Sequence, residues 1–207
     1  MNERWQPAQE MRGLLLVRAE PPAVTRWVRG GLVACQLVPL ASWTAVVPVE
    51  PASRVQAPYD GAASVLVGRP LPRRLRPALG FVVADHRAAV VVRVRGLRDS
   101  PRWLLWEPGR GPVRTRELQQ AGPRELAAAA GHPAAAREVA AVVRDRSGDA
   151  QRLLTDLLTV LGLPGADLIG PHVGLRGQVV APTAQAVARF ERRMAEIARH
   201  HRELEDS

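Results

Sequence analysis

The sequence predicts an α+β protein: an antiparallel-dominated sheet over residues 11–118, then a helical region over 119–207, with a loose polar arm at 1–10. Two observations carry this. Short runs rich in Val, Leu and Trp, bounded by Gly, Pro and polar turn residues, recur as far as Thr115. After Leu118 the composition changes to alanine- and leucine-rich stretches with helical spacing.

The organising stretch is Leu32 to Val49, two apolar runs joined by the small residues Ala41 and Ser42. It reads as a hairpin of two largely buried strands, Leu32–Val38 and Thr44–Val49. Pro39 and Pro48 belong near strand ends or on an edge, where a missing amide hydrogen does least harm. Before the hairpin, Gly13–Val17 reads as a strand. Pro21 and Pro22 then open a short helix that the Gly30-Gly31 pair ends. After it, Asp60 stands as the N-cap of a helix over Gly61–Gly68. Arg69–Gly80 is a proline-punctuated basic connection. Leu79–Val83 and Ala88–Val94 are strands joined by a polar turn, and Trp103–Trp106 with Val113–Thr115 forms a last hairpin.

This succession, with one helix between the first and second strands and another before the fourth, resembles the split β-α-β order of ferredoxin-like sheets, extended by extra strands. The resemblance is one of element order.

Beyond residue 118, Glu125–Ala130 and Ala134–Arg144 are alanine-rich helices broken at Gly131-His132-Pro133. Asp149–Leu161 is a helix with Leu153, Leu154, Leu157, Leu158 and Leu161 on one face, capped by Ser147 or Asp149. The segment GPHVGLRGQVV reads as a glycine-rich link to a final helix over Thr183–Leu204. In that helix Val187, Phe190, Met194, Ile197, His201 and Leu204 form a narrow apolar stripe with alternating spacings of three and four.

Composition bounds the function. Hydrophobic residues are 46% and charged residues 24% of 207, the balance of a folded globular chain. The single cysteine, Cys35, rules out an intrachain disulfide, and with no export signal or spanning run in view it points to the cytoplasm. The net charge is +9, yet all 29 basic residues are arginine. That choice matches codon bias in a GC-rich genome, while the excess of base over acid still asks for a cause.

Each candidate for chemistry is weighed against its bland reading. Cys35 lies among apolar residues with no neighbouring histidine and reads as a packed core thiol. His86, His132, His172, His200 and His201 fit no zinc spacing, so no metal is assigned. Glu196 and His200 read as a solvated pair one helical turn apart. Gly170, Gly174 and Gly177 match no phosphate loop, and no cofactor is assigned. Trp27, Trp43, Trp103 and Trp106 sit in apolar contexts and read as core.

The expectation is a non-enzymatic cytoplasmic interaction module, an adaptor or regulator. It binds a protein partner, or a second copy of itself, through a sheet face, the terminal helix, or both. The helix would present Val187, Phe190, Met194, Ile197 and Leu204, unless it packs on its own domain. The first alternative is nucleic-acid binding through Arg69, Arg73, Arg74 and Arg76, the densest basic cluster. The second is a small enzyme without a recognisable motif, for which Cys35 and His172 are the named groups.

Overall fold

The computed structural model describes residues 11–94, 100–170 and 177–205. Eight strands form one antiparallel sheet: β1 (Met11–Val17), β2 (Cys35–Leu40), β3 (Trp43–Pro48), β4 (Ala78–Ala84), β5 (Arg87–Arg93), β6 (Arg102–Glu107), β7 (Gly111–Val113) and β8 (Gln178–Val180). Their spatial order is β7-β6-β5-β4-β1-β3-β2-β8. The centre of that order, β4-β1-β3-β2, is the split arrangement expected from the element sequence. Two helices belong to it: α1 (Pro21–Arg29) between β1 and β2, and α2 (Ala62–Gly68) between β3 and β4. β5, β6 and β7 continue the sheet from β4, and β8 closes the other side against β2.

Successive strand residues point to opposite faces, and here both faces are covered. On one, Leu15, Val17, Leu37 and Val46 meet Val24, Trp27 and Val28 of α1 and Leu66 of α2. On the other, Leu14, Leu16, Phe81 and Trp106 meet the helical region, made of α3 (Pro123–Ala130), α4 (Ala136–Arg144) and α5 (Ala150–Val160). Burial on two sides explains why β1 reads as the unbroken run Leu14–Val17 instead of an alternation. The leucine face of α5 is fully engaged: Leu154, Leu157 and Leu158 are 0% exposed.

Two glycines set how closely α2 approaches. A Cβ at Gly13 would lie 2.9 Å from the Ala63 Cβ, and one at Gly80 would lie 2.8 Å from Val67 Cγ1. Bare backbone on β1 and β4 is what lets this short, alanine-rich helix sit directly on the sheet.

The hairpin read from Leu32–Val49 is present, turning at Ala41, whose φ of 46° is left-handed. β8 covers only Cys35–Leu37 of β2, so Pro39 lies where no outer strand asks for its amide hydrogen. Three local expectations are corrected. Asp60 does not cap α2: Gly61 occupies the N-cap position, and the Asp60 carbonyl accepts from the Ser53 amide. The start of the helix expected over Ala134–Arg144 is instead a 3-10 turn at Pro133–Ala135, since a proline opens the segment. The end of the expected glycine-rich link, Gln178–Val180, is a strand, because the exposed side of β2 offers it a ladder. Asp149 caps α5 as expected, accepting from the Arg152 amide at 2.8 Å.

Trp27, Trp43 and Trp106 are buried. Trp103 is only half-buried, beside Ala89 on the face of β5 and β6 that lies past α2. None of the helices formed by the described residues is long and apolar enough to cross a membrane.

Candidate functional site

The last helix, α6 (Ala184–Glu205), is the element least absorbed by the fold. Thr183 fixes its start twice: its amide donates to the Arg29 carbonyl at 2.9 Å, and its Oγ1 accepts from the Ala186 amide at 3.2 Å. The first half then leans on the loop before α2. Phe190 packs edge-to-face on Tyr59, with ring centroids 5.2 Å apart, and Val187 and Met194 are half-buried. Past Met194 the described side chains, Ala195 to Glu203, are all exposed, Ile197 among them. The side chain of Leu204 lies outside the described residues. Of the stripe Val187, Phe190, Met194, Ile197 and Leu204, the first three residues therefore form a shoulder on the domain and Ile197 projects beyond it.

At 22 residues and about 1.5 Å per residue, α6 is about 33 Å long, so its second half stands clear of the body. An unsupported helical segment of that length is marginal in water. His200 Nδ1 lies 3.9 Å from Glu203 Oε2, so the surface pair forms with the residue three ahead instead of Glu196.

The shoulder encloses an open groove of about 220 Å³ lined by Val55, Pro58, Tyr59, Phe190, Glu191 and Met194. The loop that forms its other wall is held from behind. Ser53 Oγ donates to the Tyr59 carbonyl at 2.6 Å, the Ser53 amide to the Asp60 carbonyl at 2.6 Å, and the Arg54 amide to the Leu32 carbonyl at 2.8 Å. Sequence reading found the helix side of this groove and missed Tyr59. The chain's single tyrosine, in a loop of Pro and small residues with no strand or helix to bury it, was the available signal.

The basic cluster divides. Arg69 lies over the Trp27 ring at 4.5 Å and donates to the Trp27 carbonyl at 2.6 Å; burial lowers its pKa to about 10. Arg76 is 3% exposed and donates through Nε and Nη2 to the Leu71 carbonyl. Arg73 and Arg74, on the 3-10 turn Arg73–Leu75, remain exposed. A further buried arginine, Arg93, donates to the Val67 and Gly68 carbonyls at 3.2 and 2.9 Å and closes the C-terminus of α2. Desolvation, with Arg76 nearby, lowers its pKa to about 10.

Cys35 is fully buried, its Sγ 3.4 Å from the Val33 carbonyl, and desolvation pushes the thiol up to about 12 despite the opposing charge of Arg69. A protonated, sealed thiol is no nucleophile. His172 falls outside the described residues. His132 is exposed, its ring beside Gly162, where an added Cβ would lie 3.2 Å from Nε2. Among the described residues no group of three His, Cys, Asp or Glu side chains is placed to hold a metal.

A wider hollow of about 560 Å³ lies between α3 and α4, beside Arg124, Glu125 and Arg137. Glu125 is already engaged there, pairing with Arg102 and accepting from the Gly122 amide at 2.8 Å. Comparison with protein-family models, with curated proteins and with solved structures returns no match for this chain.

Proposed function

We propose that the protein is a non-enzymatic interaction module, acting as an adaptor or regulator in the cytoplasm, and that it binds a protein partner through the shoulder and free end of α6. The observation that carries this reading is the state of α6. Its apolar stripe is half used by the domain at Val187, Phe190 and Met194, and it continues outward at Ile197 with nothing described against it. Helix-in-groove recognition uses anchors at this spacing, with one turn between successive contacts.

The reading assigns Arg69 and Arg76 to the fold, since each is turned toward backbone carbonyls. That leaves Arg73 and Arg74 as the exposed remainder of the cluster. A protein using them on nucleic acid would lose affinity steeply with salt. Failure of single- and double-stranded DNA and RNA to bind at low salt would dispose of that alternative.

The test is an affinity capture from the native host with the full chain, with the Phe190→Glu/Ile197→Glu double variant, and with residues 1–183. A captured protein is identified, purified and re-bound to all three. The expected result is binding by the full chain alone, with the circular dichroism of the other two retaining a folded sheet domain. Equal binding by residues 1–183 would sink the proposal.

A further inference from the structure

We infer that the hollow between α3 and α4 is a binding site for a small organic anion, a molecule that carries a carboxylate or phosphate on a compact apolar body. The site goes beyond the interaction reading and does not rest on it. α3 and α4 cover the face of the sheet opposite to α1, and it is to the last residue of α1 that the start of α6 is tied. The hollow's volume of about 560 Å³ falls in the range of small-molecule pockets, roughly 300–1,000 Å³, and a cleft between helices is one of the places where such pockets occur.

The charge belongs to the lining itself. Arg124, in the first turn of α3, and Arg137, in the first turn of α4, both line the hollow, and both are exposed. Among the described residues neither guanidinium is in an ion pair with a carboxylate. The one carboxylate on the lining is already engaged: Glu125 Oε1 pairs with Arg102, and Oε2 accepts from the Gly122 amide at 2.8 Å. Arg102 thus cancels Glu125, and the charge facing the hollow is that of two unpaired guanidiniums. Glu138, next to Arg137 in sequence, is exposed but forms no part of the lining. A flat guanidinium can donate two parallel hydrogen bonds to a carboxylate or phosphate, which is why those groups are the ligands it selects.

The rest of the lining leaves room for the body of the ligand. Gly122, Pro123, Ala134, Ala136 and Ala140 carry nothing longer than a proline ring, so the walls are apolar and set back. Ala136 and Ala140 are four residues apart on α4 and half-buried, which puts their methyl groups on one wall. An inorganic anion would satisfy the arginines and leave this surface in water. An organic anion covers it, and the apolar area removed from water adds to the charge.

The test is an amide chemical-shift titration of the isotope-labelled full chain with matched fragments: benzoate against benzamide, phenyl phosphate against phenol, and inorganic phosphate alone. The same series is run on Arg124→Gln/Arg137→Gln, on Ala140→Leu, which fills the hollow, and on Arg73→Gln/Arg74→Gln, which removes equal charge elsewhere. The expected result is binding of benzoate or phenyl phosphate, with shifts centred on residues 122–125 and 134–140. Affinity should fall at least about tenfold on Arg124→Gln/Arg137→Gln and on Ala140→Leu, and stay unchanged on Arg73→Gln/Arg74→Gln. Four results overturn the inference. They are no binding below about 10 mM, equal binding by benzamide or phenol, an equal loss on Arg73→Gln/Arg74→Gln, and inorganic phosphate binding as tightly as phenyl phosphate, which would mean an adventitious ion only. If Ala140→Leu loses the native circular dichroism, the arginine variant decides alone, because both of its side chains are exposed.

Discussion

Ending the chain at Thr183 should leave the domain folded and only modestly less stable. The deletion removes α6, of which Val187, Phe190 and Met194 are half-buried while Ala195 to Glu203 are exposed. Half-burial of three such side chains is worth about 1 kcal/mol each. The edge-to-face contact of Phe190 with Tyr59 adds about 1 kcal/mol, and ordering these side chains takes back about 2. The net loss is about 2 kcal/mol, against about 2–5 for Leu154→Ala or Leu157→Ala in the sealed face of α5. Equilibrium urea unfolding is the assay, followed by tryptophan fluorescence, because Trp27, Trp43, Trp103 and Trp106 all lie outside α6. A loss above about 5 kcal/mol, or disappearance of the cooperative transition, would show that α6 is core and refute the reasoning.

Four further outcomes follow from the same structure. Gly80→Ala sets a Cβ 2.8 Å from Val67 Cγ1 and should cost about 1–3 kcal/mol by lifting α2, read as a lower urea midpoint. Asp149→Ala removes the N-cap of α5 and should cost about 1 kcal/mol by the same measurement. Cys35 should resist a maleimide reagent in the native protein at pH 8 and react once guanidinium exposes it. Its pKa moves from 9.0 to about 12 on folding, so above pH 9 the unfolded thiol releases its proton while the folded one keeps it. Stability should therefore be fully present below pH 9 and fall by up to about 1.4 kcal/mol per pH unit above it, a slope that Cys35→Ala should reduce in pH-dependent denaturation.

The centre of the sheet was legible because each of its strands is a run of Leu, Val and Trp whose ends coincide with a proline, a glycine or a polar pair. Leu32–Val49 shows the limits of that legibility: the first strand runs Cys35–Leu40 and does not begin at Leu32, whose carbonyl accepts from the Arg54 amide instead of a β3 partner. β8 was illegible for a different reason. Gln178, Val179 and Val180 carry no alternation or turn signal of their own and become a strand only because β2 has an open side. The groove is illegible in the same way, since Tyr59 and Phe190 are joined by tertiary placement alone. The stripe on α6 could be read from spacing, but whether the domain would cover it could not. The answer is divided at Met194, where the body ends and the helix continues.

Part of the basic excess has a cause that charge counting hides. A cation held by carbonyl oxygens needs no carboxylate, and helix ends supply unsatisfied carbonyls. Arg93 takes the Val67 and Gly68 carbonyls at the end of α2, and Arg69 takes the Trp27 carbonyl near the end of α1 while its plane stacks on the indole. Arg76 spans the turn to the Leu71 carbonyl with two nitrogens. Arg69 and Arg76 use the flat, forked guanidinium, and a lysine ammonium would match neither the stacking of the first nor the two-nitrogen donation of the second. Geometry, and not charge alone, accounts for arginine at positions 69 and 76. The basic charge left for recognition is then smaller than the count of 29 arginines implies.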